Sequence, residues 1–311
     1  MSEKKTFFNP IVVGEKLVEV NNIGIVVDDV SDLPEKIIKK YQLGCANFIV
    51  DWPEGEKLAG DNIYQKMREA DKKGIQKLPK TSQPTQKAFL EAYKKTLEKL
   101  PKDSKIISIV LSSKLSGAYN SAYQASQMLG EPSKVYIFDS LQGSAGQALI
   151  ILRAIELREE GKNFNEIIKE LKKTIPKIQL LAVLKDPKWL ESGGRISHSQ
   201  ATWIRRMEKL KIRPIIIIKD GKVEKGGIVL RASDLATAIF KKIKKSSAKD
   251  RKNNKKIRVV INHCDAQKEA EKLKKMLKEI NAEVSYINLV SPVVGAHIGP
   301  SSLIAAWMTL D

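Results

Sequence analysis

Short apolar runs alternate with amphipathic stretches along most of the chain. IGIVVD (23–28), IISIVL (106–111) and VYIFD (135–139) are nearly continuous apolar blocks of strand length, the pattern of strands covered on both faces. Helical signals follow each of them. After the first, SDLPEKIIKKY offers Ser31 or Asp32 as a cap and Pro34 for the first turn. After TSQP, the stretch TQKAFLEAYKKTLEKL sets Phe89, Tyr93, Leu97 and Leu100 on one helical face. In the second half QLLAVL (179–184), IRPIIII (212–218), RVVINH (258–263) and VSYINL (284–289) read as strands. Between the last two, AQKEAEKLKKMLKEI predicts a helix with Leu273, Met276, Leu277 and Ile280 inward. This alternation predicts an α/β fold, a mostly parallel sheet covered by helices, and no internal repeat is visible. A chain of 311 residues exceeds one comfortable domain. The expected division lies after the helix ending ELKKTIP, giving units 1–175 and 176–311.

Composition narrows the class. No run of 18 apolar residues occurs, and the longest branched block, Ile215 to Ile218, is only strand-sized. The opening MSEKKTFFNPIVVGEKL lacks a continuous apolar core, so the expected location is the cytoplasm. Cys45 and Cys264 have no metal-like spacing and are expected as reduced, buried thiols, and His198, His263 and His297 are too dispersed to suggest a metal site. The formal charge of +19 raises the question of a polyanionic partner. From Lys241 to Arg258 ten basic residues stand against Asp250 alone, yet no aromatic residue is interleaved for base stacking. Nucleic-acid binding is therefore not supported, and a transient attraction to an anionic membrane surface fits the charge better.

Candidate chemistry collects at the carboxyl ends of the first three strands, where open parallel sheets bind ligands. The first ends in Asp28-Asp29 followed by Ser31, the second in Ser112-Ser113 followed by Ser116-Gly117, the third in Asp139-Ser140 followed by Gly143-Ser144. Thr81-Ser82 adds a hydroxyl pair just before a helix. Hydroxyls beside helix N-termini suit an anion; any single one is better explained as a cap or turn, but three strand-end clusters in one domain favour a shared site. No G-x-S-x-G elbow, Walker loop or GxGxxG occurs, so a binding site without a cofactor is the simpler expectation. An enzyme, a kinase or hydrolase acting on a small anionic substrate at the same strand ends, is the alternative.

Seven segments, in order, resemble the DegV family of bacterial lipid-binding proteins. DDVSDLP (28–34), PKTSQPT (79–85), LSSKLSGAYNSA (111–122), FDSLQGSAGQ (138–147), LESGGRIS (190–197), IRPIIIIKDGKV (212–223) and VVGAHIGPSS (293–302) are similar to its motifs. Departures stand at Asp29-Val30, at Ser301-Ser302 where a glycine is usual, and at Arg231 and Ser233 where two arginines are common. The resemblance implies a parallel-sheet α/β/α N-terminal domain, an α+β C-terminal domain and one long-chain fatty acid in an apolar tunnel. It assigns the carboxylate to Thr81 and Ser113, with Ser82 and Ser112 as adjacent candidates and His297 and Arg195 close to the headgroup. It also implies a partner, a separate fatty acid kinase that receives the carboxylate and makes an acyl phosphate for phospholipid metabolism. Read from the residues alone, Arg195 could instead be an ion-pair residue and His297 a satisfied core histidine.

Overall fold

The computed structural model describes residues 22–75, 77–210 and 212–310. Its strands are β1 (Ile23–Asp28), β2 (Gly44–Ala46), β3 (Ile49–Asp51), β4 (Lys80–Ser82), β5 (Lys105–Val110), β6 (Val135–Asp139), β7 (Gln179–Val183), β8 (Arg213–Lys219), β9 (Lys222–Val229), β10 (Ile257–His263), β11 (Ala282–Leu289) and β12 (Leu303–Thr309). The opening residues 1–21 lie outside the described residues. Among those described, no helix is long and apolar enough to cross a membrane.

The first sheet has the order β2-β1-β5-β6 and every pairing in it is parallel. The central strand β1 is buried along its whole length, which is why its sequence is a continuous apolar run. Val26, Ile106 and Val110 on one face meet Phe89, Tyr93, Ala122 and Ala125 of the helices Gln86–Leu97 and Ala118–Met128. Ile25, Val27, Ile107 and Ile109 on the other face meet the helix Ser144–Glu159. The second sheet has the order β11-β10-β12-β7-β8-β9 and is antiparallel except between β10 and β11. Sequence reading missed its middle strand, β12. The helices Leu235–Ser246 and Gln267–Lys278 cover its outer face through Ile239, Ile243, Leu273 and Leu277.

The helix Ser144–Glu159 joins the two sheets. Its sequence, SAGQALIILRAIELRE, is apolar on nearly all sides, as a helix with no solvent face should be. One side packs on β1 and β5, the other on β7, β10 and β12, so a single apolar core runs from Ile25 to Ile304 and Ala306. A second connection comes from the antiparallel ribbon β3–β4 and the helix Ile63–Lys72, which pack against the helix Pro292–Ile298. Tyr64 from this excursion donates its hydroxyl proton to the Val290 carbonyl (2.6 Å). This ribbon carries Thr81 to the helix Pro292–Ile298.

Candidate ligand-binding site

Thr81 lies at the centre of β4, opposite Val50. The helix Pro292–Ile298 starts sharply because the Ser291 hydroxyl accepts from Val294 N–H (3.3 Å) and Pro292 fills the first position. It stops at Gly299, whose φ of +77° and contact with the buried Trp189 ring leave no room for a side chain. His297 therefore sits in its last turn, and its Nε2 is hydrogen-bonded to Thr81 Oγ1 at 2.8 Å, 216 residues away in sequence. Burial, and secondly the charge of Arg195, push the imidazole down to about 4 from its ordinary 6.5, so the ring is neutral at neutral pH. With the proton on Nε2 the ring donates to Thr81 and leaves the threonine proton free to point at a ligand; the other tautomer would consume that proton.

Arg195 completes this corner. Its guanidinium donates to the Gly193 carbonyl, and among the described residues no carboxylate pairs with it. Burial lowers its pKa, the signature of a cation drawn partly out of water. It lines a cleft of about 420 Å³ together with Lys114, Leu115, Lys222, Val223 and Glu224. Gly193, which caps the helix Lys188–Ser192, presses against Nδ1 of His297. Its φ of −74° suits any residue, so alanine there is accepted by the backbone while its Cβ overlaps the imidazole. Gly193→Ala is therefore expected to displace the ring and weaken ligand binding several-fold with a nearly unchanged melting temperature, a pair of readings that titration calorimetry and thermal unfolding provide.

The remaining predicted residues separate. Ser113 is exposed and precedes the cleft residue Lys114 in sequence, its N–H donating to Asp139 Oδ1 at 3.2 Å. The Ser112 hydroxyl is buried and donates to the Gly221 carbonyl (2.8 Å), so its one proton is used inside the protein. Ser82 is exposed on the face of β4 opposite Thr81. The strand-end clusters largely fasten one another: Asp28 accepts from Leu111 N–H (2.7 Å) and Gln147 Nε2 (2.9 Å), and Asp139 from Leu141 N–H (3.0 Å). Cys264 is buried and Cys45 half-buried, both as free thiols. Among the described residues no three metal-ligating side chains converge.

Asp32 was expected as a helix cap and has another position. Its carboxyl group is hydrogen-bonded to the Ser144 hydroxyl (2.5 Å) and accepts from Ser291 N–H (2.6 Å), and its carbonyl accepts from Asn288 Nδ2 (3.0 Å). It thus ties β1 to the start of the helix that bears His297. Burial raises Asp32 to about 8, and likewise Asp28 to about 7 and Asp29 to about 6.

A parallel α/β/α sheet, a mixed sheet sharing its core, and a neutral His–Thr pair beside an arginine with which no carboxylate among the described residues pairs define the class, an α/β protein of two sheets around one core. The chain belongs to the DegV family: the family model described as "Uncharacterised protein, DegV family" matches residues 22–309. A DegV domain-containing protein of Staphylococcus aureus is 30% identical over 290 residues, 90% of this chain and 95% of the relative. Another, from Clostridium acetobutylicum, is 35% identical over 207 residues, 66% of this chain and 71% of the relative. Among solved structures, a Thermus thermophilus DegV family protein described for its fatty acid binding superposes with a TM-score of 0.74 at 25% identity, covering 93% of this chain and 99% of that one. A Thermotoga maritima protein described as revealing a fatty acid binding function gives a TM-score of 0.71 at 26% identity, with the same two coverages.

Proposed function

We propose that the protein binds one long-chain fatty acid between its 1–175 and 176–311 parts and presents the carboxylate to a separate fatty acid kinase in the cytoplasm, without performing chemistry itself. The observation that carries this is the Thr81–His297 hydrogen bond next to Arg195, with which no carboxylate among the described residues pairs. The fatty acid binding described for the two solved relatives supports the same reading. A fatty acid needs two environments. Its tail gains about 0.8 kcal/mol per buried methylene. The cleft, lined mainly by polar and charged side chains such as Lys114, Arg195 and Lys222, suits the headgroup, and in this reading the tail lies against the shared core, where Ile218 and Trp203 are packed. Its carboxylate, costly to bury unpaired, needs donors and positive charge. In this reading Thr81 O–H and Ser113 O–H donate to it, Arg195 supplies the charge, and His297 fixes the direction of the Thr81 proton. In the same reading the exposure of Ser113 keeps one carboxylate oxygen within reach of a kinase.

Organic extraction of natively purified protein followed by mass spectrometry is expected to return one fatty acid per chain. Lipid-free protein that takes up neither palmitate nor oleate would overturn the reading. Mixed with a fatty acid kinase, ATP and oleate, loaded protein should give acyl phosphate; without that product only storage or transport is left.

A further inference from the structure

The cleft that Arg195 lines holds more positive charge than one carboxylate needs. Lys114, Arg195 and Lys222 all face it, and Glu224 is the one acidic side chain among the described residues that line it. The β8–β9 hairpin brings two of these cations together. Its turn is Asp220-Gly221, with φ of 49° and 79°, the left-handed pair that a tight two-residue hairpin turn requires. The Ser112 hydroxyl donates to the Gly221 carbonyl (2.8 Å) and Lys114 Nζ to the Asp220 carbonyl (2.8 Å), so the turn is docked on the chain that follows β5. A Cβ on Gly221 would meet Ser112 Oγ at 2.5 Å, so the approach is as close as glycine permits. Lys222, the next residue, is exposed and opens β9. Among the described residues no carboxylate pairs with Lys114 or Lys222, and the bond to Asp220 leaves Lys114 two more N–H groups for a ligand.

We propose that Lys114 and Lys222 form a subsite for a phosphoryl group on the ligand's head, so that the chain holds an acyl phosphate more tightly than the fatty acid from which it is made. This deepens the fatty acid reading and rests on it. In the transfer a carboxylate oxygen bonds to the terminal phosphorus of ATP, the bond from that phosphorus to the ADP oxygen breaks with its electron pair leaving on ADP, and no proton is exchanged. The acyl phosphate then carries two negative charges where the carboxylate carried one. Thr81, Ser113 and Arg195 answer the first charge. The second sits on oxygens beyond the bridging one, and Lys114, which follows Ser113 in the chain, and Lys222 bring to the same cleft the charge that meets it. Ammonium groups suit this task, being compact point charges that bind phosphate. Glu224 repels the added charge and limits the preference.

The test compares palmitate with the ketophosphonate isostere of palmitoyl phosphate, in which a methylene replaces the bridging oxygen, by titration calorimetry on the full chain stripped of lipid. The wild type should bind the phosphonate about tenfold more tightly than palmitate, the gain of one charge-assisted contact. Lys114→Gln/Lys222→Gln should bring that ratio to about one or below, with most of the loss on the phosphonate. Lys222→Gln alone, which touches none of the hydrogen bonds that dock the turn, should lower it several-fold. Glu224→Gln should raise it about threefold, an effect of opposite sign that a damaged fold does not produce. A wild type without preference for the phosphonate, lysine variants that weaken both ligands by the same factor, or a ratio unmoved in any of the three variants would overturn the proposal and leave the fatty acid reading in place. Binding of neither ligand by the wild type would overturn both.

Discussion

Thr81→Val should lower palmitate affinity by roughly 10- to 100-fold, the ~1.5–3 kcal/mol of one hydrogen bond to a charged group. Valine keeps the branched shape and the strand preference of β4, so the melting temperature should barely move and the loss reports the hydroxyl alone. Thr81→Ser, which restores the oxygen, should recover most of the affinity. The 2.8 Å contact with His297 adds a second arm. His297→Ala removes the group that orients the Thr81 proton and should weaken binding by a similar factor, whereas His297→Gln, whose amide N–H can donate in place of Nε2–H, should bind better than alanine. The two losses should not add, because both act through one proton, and a double variant measured by titration calorimetry shows this as a coupling energy. Additive losses would mean that His297 contacts the ligand by itself. Full binding by Thr81→Val would remove the threonine from the site.

What could be read in the sequence depended on the range of the interaction. β1 and β6 were found at their observed limits because burial on both faces demands an unbroken apolar run, a local property. β12 escaped because LIAAWMT contains Ala305 and Ala306, poor strand formers. Its place between β10 and β7, under the helix Ser144–Glu159, rewards small buried side chains more than propensity. The second sheet's antiparallel pairings likewise depend on how distant segments meet, which alternation of strands and helices does not encode. The Thr81–His297 pair entered only through the resemblance of TSQP and GAHIGP to a family, since a spacing of 216 residues carries no physical signal. Ser112, adjacent to Ser113 in sequence, is buried after the end of β5 where Ser113 is exposed, and its proton goes to the Gly221 carbonyl, a partner 109 residues away that the sequence does not reveal. Asp32 was misread because a capping aspartate and an interface aspartate look the same until the donor is known, and here the donor is Ser291, 259 residues later.

Asp32 carries the largest expected effect on stability. Asp32→Ala removes the acceptor of Ser291 N–H and the hydrogen-bond partner of the Ser144 hydroxyl in a buried place and puts alanine at a φ of 51°, which aspartate and asparagine tolerate better. A loss of about 2–4 kcal/mol in urea unfolding is expected from one unsatisfied buried donor, the lost bond to the Ser144 hydroxyl and a strained backbone. Asp32→Asn behaves differently. The neighbouring Asn262 amide satisfies its surroundings when its oxygen accepts from Ala145 N–H (3.2 Å) and Ser144 O–H (3.0 Å). The Ser144 oxygen then needs a donor on its other side, which a protonated Asp32 supplies and an asparagine Nδ2 imitates. Burial raises Asp32 from 3.8 to about 8, so between those values the folded chain holds a proton that the unfolded chain has released. Stability from this group is fully present below the lower value and is lost as pH rises through the higher one. Asp28, raised to about 7, acts in the same sense, while His297, lowered from 6.5 to about 4, loses stability as pH falls; both persist in the variant and cancel in a difference. The unfolding free energy of Asp32→Asn minus that of the wild type should therefore grow in the variant's favour between the lower and the higher Asp32 pKa and level off above it. A difference independent of pH over that window would mean that Asp32 is ionised in the folded protein and that the Ser291 and Ser144 donors alone offset its burial.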